Sequence, residues 1–320
     1  MHEHVITEHE ASQRLDRFLR KLLPDLPLGA IFKHLRQGSI RVDERKVDGA
    51  LRLEPGMRVQ LRRLDLAASA AARPGSAVAA AAAAAGPLPP AGPNSGGAAE
   101  APRVVHHDEA FLVVAKPAGL AVHGGSGITH SVVDWLASQP FGVRSGTFRP
   151  AAAHRIDRGT SGLLLIGLTP HALRMLTAAF RDGAVKKVYH AVVGGVPKQR
   201  TGSIAAPLLV DQEADHRGAK VRVDARGQSA HTDYEVVRSR GGMTLIKVMP
   251  REGRQHQIRA HLAHLGHPIV GDRRYGARAG AGKGFLLHCS ELTFPHPVTA
   301  EPMRFVAPLP PAFTQLFGQE

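Results

Sequence analysis

The sequence predicts an α+β fold in two modules joined by a linker. Three observations carry that reading. Beyond residue 104, strand-like runs outnumber helical ones and do not alternate with them regularly, which disfavours a doubly wound parallel sheet. The first 65 residues carry two helical patterns followed by short strand-like pieces. Between these regions, residues 66–102 are almost entirely Ala, Gly, Pro and Ser, with Arg73 and Glu100 as the only charges. That stretch has no large side chain to pack it, and Gly and Pro interrupt it, so it reads as a flexible linker with transient helix at most over 77–85.

In the N-terminal module, Leu15, Phe18, Leu19, Leu22 and Leu23 recur at helical spacing, with Arg14, Arg17, Arg20 and Lys21 on the other side. A second helix is predicted from Leu28 to Arg36, stopping at Gly38. Ile40, Val42, Val47, Leu51, Leu53, Val59 and Leu61 then suggest short strands joined by polar turns. Lys33, Arg36, Arg41, Arg45 and Lys46, on and after the second helix, are candidate phosphate contacts. A solvated surface is the competing reading of the same charges.

The C-terminal module opens near Val104. "FLVVAKPAGLAV" reads as a buried strand ending in a Pro-Gly turn, and "HGGSGITHSVVDWLASQ" as a loop followed by a helix with Val132, Val133 and Leu136. A helix is predicted from Ala172 to Arg181, with Leu173, Leu176, Ala179 and Phe180 on one side. "KKVYHAVVGGV", "KVRVDA", "SAHTDYEVVRSR" and "MTLIKVMP" read as strands, and "HQIRAHLAHLGHPIVGD" as a helix that breaks at Gly266.

Lys and Arg number 41 against 27 Asp and Glu, a formal charge of +14, which favours a polyanionic partner, with nucleic acid first among them. A single cysteine, Cys289, excludes an internal disulfide and a Cys-cluster metal site and fits a reducing compartment. The N-terminus "MHEHVITEHE" lacks the apolar segment of a signal peptide, and no apolar run approaches the ~20 residues of a membrane span. The expectation is a soluble, cytoplasmic protein.

The stretch "HRIDRGTSGLLLIGLT", His154 to Thr169, sets one carboxylate, Asp157, between Arg155 and Arg158, just before an apolar run. If His154–Asp157 is extended, Arg155 and Asp157 share one face, while His154 and Ile156 turn toward a core. An adjacent guanidinium favours an ionised carboxylate, which suits a nucleophile or electrostatic stabiliser better than a general acid. A structural Arg–Asp pair is the alternative. Tyr189 offers a ring for stacking on a base and a hydroxyl for a polar partner. Its alternative is an ordinary half-buried strand residue. In "EGRQHQIRAHL", Arg254 and Arg259 lie near a helix start; one would suit a buried acid and the other a phosphate. His256, His261, His264 and His267 raise a zinc site, but no H-E-x-x-H pairing and no Cys pair supports it. "HGGSG" and "GTSG" match neither a phosphate-loop pattern nor a nucleophile elbow.

Six segments resemble the signatures of RluA-type pseudouridine synthases, in family order across about residues 104–310. "VAKPAGLAVHGGSG" resembles their K-P-x-G motif, "HRIDRGTSGLLL" their H-R-L-D-x-x-T-S-G-L-L, and "KKVY" their K-x-Y. "GRQHQIRAHLAHLGHPIVGDRRYG" resembles their G-R-x-H-Q-I-R and G-H-P-I-x-G-D-x-x-Y-G, "LLHC" their L-H-A, and "HPVTAEPMRFVAPLP" their terminal strand. Ile156, Gln255 and Cys289 are mild departures. "RLDRFL", "LRQGSIRVDERKV" and "LEPGMRVQL", over about residues 12–63, resemble the S4-like RNA-binding module that many members carry.

The resemblance implies a catalytic domain over 103–320 with a mixed, largely antiparallel sheet, behind an S4-like module over 1–65. It implies that Asp157 is the catalytic aspartate, that Arg259 pairs with it, that Tyr189 contacts the target base and that Leu287 lines the base pocket. Arg155, Arg158 and Arg254 join the basic residues of the first module as RNA-binding candidates. The reaction so implied breaks the N1–C1′ bond of uridine, turns the base and rejoins it through C5. Substrate and product have the same composition, so no cofactor and no metal is expected. Three roles stay open for the aspartate: attack on the ring, attack on C1′, or removal of a ribose proton to form a glycal. "VHGGSG" before an apolar helix resembles members that modify 23S rRNA, making 23S rRNA or its precursors the expected partner of a monomeric enzyme. A non-catalytic RNA-binding or ribosome-assembly factor of the same fold is the rival reading. A glycoside hydrolase is a weaker one, since it needs two flanking carboxylates.

Overall fold

The computed structural model describes residues 2–7, 10–23, 26–62, 100–125, 130–141, 148–215, 218–277 and 284–318. The alanine-rich stretch 66–99 lies outside these. Residues 2–62 belong to one compact unit, and 100–141 and 150–318 to a second.

In the first unit, β1 (His2–Val5) precedes α1 (Leu15–Leu22), α2 (Leu28–Gln37), β2 (Ile40–Val42) and β3 (Arg58–Leu61). The strands form an antiparallel sheet in the order β1-β3-β2. The predicted stripe of α1 is buried at Leu15, Phe18 and Leu19, where it meets Ile31 and Leu35 of α2 and Ile40, Val59 and Leu61 of the sheet. Gly38 ends α2 in the left-handed region, φ 74°, as its glycine suggested. One expectation is corrected. Val47, Leu51 and Leu53 lie in the connection between β2 and β3, not in strands. There Asp48 Oδ1 accepts the Ala50 N–H and bends the chain, while Leu53 N–H reaches Gln13 O. β1, by contrast, was invisible among polar residues: none of its four side chains is buried, so it has no apolar face for a pattern to reveal.

The second unit contains β4 (Arg103–His107), β5 (Phe111–Lys116), α3 (Val132–Ser138), β6 (Ala151–Ala152), β7 (Ser161–Gly167) and α4 (Pro170–Arg181). Then come β8 (Lys186–Gly194), β9 (Thr201–Ala205), β10 (Leu208–Asp215), β11 (Gly218–Val223), β12 (His231–Arg240) and β13 (Met243–Pro250). α5 (Gln257–His264), a 3-10 turn at Arg273–Tyr275, β14 (Leu287–Pro295), β15 (Pro302–Val306) and α6 (Pro311–Phe317) complete it. A 10-stranded mixed sheet runs β4-β5-β7-β14-β8-β13-β12-β9, with β15 on β14 and β6 on β7; β10 and β11 form a separate hairpin. Among the described residues the β7–β14 pairing is parallel and the other pairings of this sheet are antiparallel. The fold is α+β.

β7 lies between β5 and β14 in this sheet. All its residues are buried, so the run Leu163–Ile166 packs on both faces and fixes where the preceding loop, His154–Thr160, must end. Gly162, at φ 113°, makes the close approach to β14 possible, because a Cβ there would overlap the Cys289 backbone.

Candidate active site

Three parts of the second unit converge on one cleft. The first is the loop before β7. Ile156 is buried in the core. The His154 ring stacks on Phe180 with centroids 4.3 Å apart, and its Nε2 accepts the Leu165 N–H at 3.0 Å. Burial, with a smaller push from Lys187, holds the His154 pKa down to about 3, so the imidazole stays neutral and keeps its acceptor. His154, Arg155, Ile156 and Asp157 all border the cleft; His154 and Ile156 are anchored toward the core, and Arg155 is the exposed member of the four.

The far side of the loop is tied to the Pro-Gly turn after β5. Lys116 is fully buried and donates from Nζ to the carbonyls of Pro117, Leu120 and Arg158, at 3.0, 2.7 and 3.2 Å. Burial lowers its pKa to about 7, against the attraction of Asp157. Arg158 itself donates from Nε to Gly119 O at 2.9 Å. Its guanidinium thus fastens the turn and is absent from the cleft lining.

The second part is α5 with the turn that follows. Arg259 donates from one terminal nitrogen to Asp157 Oδ2 at 3.0 Å. Its Nε and other terminal nitrogen form a fork on Asp272, at 2.7 and 2.9 Å. The rings of Phe285 and Tyr275 stand 4.4 and 5.0 Å from the guanidinium carbon. Burial works against this charge, but the hydrogen bonds and charges of Asp272 and Asp157 outweigh it and raise the arginine pKa. Of the two arginine partners open to Asp157, the geometry selects Arg259 over Arg155. His256, at φ 52°, precedes α5; its Nδ1 meets Tyr275 Oη at 3.0 Å and its Nε2 stands 3.9 Å from Asp157 Oδ1.

The third part is the sheet. Tyr189 on β8 and Leu287 on β14 are both buried and line the cleft. Burial, joined by Cys289 and Asp157, raises the Tyr189 pKa well above its usual value, so the phenol stays protonated. The cleft has a volume of about 620 Å³ and is bordered by Arg155, Arg181, Lys187, Arg251 and Arg254. Arg254 also donates to Ser229 O at 3.2 Å. Asp182 and Glu252 line the cleft as well, but Arg181 forks onto the first and His231 and Gln257 hold the second, so cations remain in excess beside Asp157, which suits a polyanion carrying a reactive neutral group.

Sequence reasoning assigned no chemistry to Asp272, Tyr275, Phe285 or Lys116, and weighed His256 only as a zinc ligand. The signal was in hand for three of them: Lys116 lies in "KPAG", and Asp272 and Tyr275 lie in "GDRRYG". Asp272 is a second carboxylate at the site, yet both its oxygens are held by Arg259, which leaves no second flanking acid in that position for glycoside hydrolysis. The histidines do not converge. His261 makes contacts at Thr232 Oγ1 and Ala206 O, and His267 at Gly194 O.

Residues 110–264 match the family model described as RNA pseudouridylate synthase. Human RNA Pseudouridylate Synthase Domain Containing 4 superposes with a TM-score of 0.53 at 26% identity, covering 66% of this chain and 90% of that one. The chain is 34% identical over 317 residues to a ribosomal large subunit pseudouridine synthase C of Vibrio vulnificus, covering 95% of this chain and 91% of the relative. It is 36% identical over 320 residues to the protein of that name from Escherichia coli K12, covering 95% and 92%. The chain belongs to the RNA pseudouridylate synthase family. It is a pseudouridine synthase, an isomerase, as the six motifs implied.

Proposed function

We propose that this enzyme isomerises specific uridines of 23S rRNA, or of large-subunit precursors, with Asp157 as the catalytic carboxylate. The observation that carries the reading is the division of labour at that carboxylate: Oδ2 is held by Arg259 at 3.0 Å, while Asp157 lines a cation-bordered cleft. The names of the relatives, ribosomal large subunit pseudouridine synthase C, support the choice of RNA.

In this reading the target uridine leaves its stack and enters the cleft, since its sugar and base are inaccessible inside a helix. Tyr189 contacts the base and Leu287 lines its pocket. Arg155 and Arg254 receive flanking phosphates at the mouth, and Arg158 contributes from the adjoining turn. The N1–C1′ bond breaks and a C5–C1′ bond forms; C5 loses a proton and N1 gains one, so no cofactor and no metal is consumed. Residues 1–65 act as an S4-like RNA-binding module through Lys33, Arg36, Arg41, Arg45 and Lys46, residues 66–102 as a flexible linker, and residues 103–320 as the catalytic domain. The enzyme acts as a monomer in the cytoplasm. Mapping pseudouridine in 23S rRNA from cells with and without the protein tests the reading. Specific sites should vanish without it and return with the wild-type chain; an unchanged map would overturn the choice of RNA.

A further inference from the structure

We infer that His256 and Asp157 together grip the ribose 2′-hydroxyl of the target uridine, His256 donating to it from Nε2 and Asp157 accepting its proton on Oδ1. The inference rests on the functional reading above and adds a substrate-contacting residue to it.

Tyr275 sets the orientation of the His256 proton. Its Oη accepts the backbone N–H of Val221 at 3.2 Å, a group that can only donate. The same Oη meets His256 Nδ1 at 3.0 Å, which gives the phenol proton an acceptor at Nδ1. A neutral imidazole engaged in that way carries its own proton on Nε2. Burial keeps His256 below its ordinary pKa, against the pull of Asp157 and with help from Arg259 and Arg274, so the neutral form prevails at physiological pH. The ring is held by its edge-on contact with Tyr275, at an interplanar angle of 89°.

Nε2–H therefore faces Asp157 Oδ1 across 3.9 Å. That distance is too long for a direct hydrogen bond and right for one shared atom. An oxygen ~2.8 Å from each group would sit at the apex of a roughly right-angled triangle, which a hydroxyl accommodates. Asp157 Oδ2 is engaged by Arg259, so Oδ1 is the oxygen facing the gap.

The bridging group must accept from Nε2–H and donate to a carboxylate oxygen. Base carbonyls and phosphate oxygens only accept. The uracil N3–H only donates. A hydroxyl does both, and a nucleotide inside an RNA chain has one, the 2′-hydroxyl, because its 3′ and 5′ oxygens are esterified. The pair thus reads the group that separates RNA from DNA.

The test is a square of two enzymes and two substrates. Single-turnover rates and dissociation constants are measured with an rRNA fragment carrying either ribose or 2′-deoxyribose at the target uridine. His256→Asn is the truncation, since asparagine tolerates φ 52° and is too short to bridge. On the ribose substrate it should lose about tenfold, the scale of one well-placed hydrogen bond, and on the deoxyribose substrate almost nothing. The dissociation constants complete the same square if the deoxyribose substrate turns over too slowly to time. His256→Gln, which restores an N–H at similar reach, should recover part of the loss. Tyr275→Phe should lose about threefold on ribose alone, and it carries the square if His256→Asn melts early. Equal losses on both substrates would overturn the inference while leaving the functional reading standing. A wild-type enzyme that forms no pseudouridine in the ribose fragment would overturn both.

Discussion

The two units hold their charges in opposite ways. In the first, Lys33, Arg36, Arg45 and Lys46 stand exposed on α2 and on the turn after β2; Arg41 is partly buried and spends its donors on the Gly38 and Glu44 carbonyls. In the second, Arg259 and Asp272 are buried and bonded to each other, with Asp157 attached at one end. An exposed cation acts through its field, which water and salt weaken and which neighbours can replace. A buried one acts through its position, and nothing nearby substitutes for it. Substitutions should therefore be graded and salt-dependent in the first unit and close to all-or-none at the cleft.

Asp157→Asn is the strongest test of that contrast. The change preserves shape and removes one charge, and Arg259 keeps its fork on Asp272, so the fold should survive. Under single-turnover conditions with excess enzyme, pseudouridine formation should fall below detection, while RNA affinity holds or rises slightly as repulsion from phosphate is lost. Melting, RNA binding and turnover measured on one preparation separate the outcomes. A folded, RNA-binding Asp157→Asn protein with normal turnover would make the carboxylate a structural partner of Arg259 and nothing more.

Arg259→Ala comes next, because it should damage both structure and chemistry. It removes both hydrogen bonds of the Arg259 fork from Asp272, whose side chain is 1% exposed. Breaking a buried pair by removing one partner costs about 3–5 kcal/mol. Arg259→Lys restores the charge but cannot span both carboxylates with a planar fork, so turnover should stay low even where stability partly returns. Chemical denaturation and turnover of the two variants check this. Recovery of wild-type turnover by Arg259→Ala on lowering the salt would reduce Arg259 to a phosphate contact.

These residues also mark what sequence alone made legible. α1, α2 and α4 were readable because one side of each is apolar and the other is not. α4 in fact begins at Pro170, where Thr169 Oγ1 accepts the Ala172 N–H, a Thr-Pro start signal that apolar spacing overlooks. α5 was readable only as a motif: it buries Gln257, Arg259 and His261 along with its apolar residues, so it has little amphipathic contrast. β9 escaped notice because Ile204 is its one large apolar side chain, and β10 because its apolar run, Leu208 to Val210, gives way at once to polar residues. Asp157 drew attention through its flanking arginines, yet its partner lies 102 residues further along the chain. No local pattern encodes that pairing, and the choice between Arg155 and Arg259 needed the sheet that brings them together. The same holds for His256, whose ring gains a role only through Tyr275 and Val221.

A smaller effect should appear in acid. His154 has its pKa lowered from 6.5 to about 3 in the folded protein, so between those values the unfolded chain binds more protons. Its contribution is complete above pH 6.5 and is lost as pH falls toward 3, amounting to ~2 kcal/mol at pH 5 by linkage. His288, lowered to about 4 by burial and by His190, acts in the same direction. His154→Gln keeps an acceptor for the Leu165 N–H and removes the titration. Urea denaturation at pH 7 and pH 5 should show the wild type losing about 2 kcal/mol more than the variant. Equal losses would mean that the folded state admits the imidazolium.

The smallest single effects belong to the exposed cations, and there the comparison between units can be sharpened most finely. Lys33→Ala and Arg36→Ala both alter exposed residues of α2 and leave the buried contacts of Ile31 and Leu35 in place, so the melting temperature should barely move. If each contacts phosphate, each should weaken rRNA binding by a few fold at moderate salt. The slope of log affinity against log salt should then flatten by about 0.7–0.9 for every contact removed. The double variant should depart from the product of the singles, because the two stand one turn apart on α2, near enough to couple through the same phosphates. Turnover at saturating RNA should be unchanged, since neither residue lines the cleft. Binding titrations across a salt series, paired with turnover at saturation, read both quantities. A loss of turnover at saturation would tie the first unit to the chemistry itself; an unchanged salt slope would return these cations to plain solvent exposure.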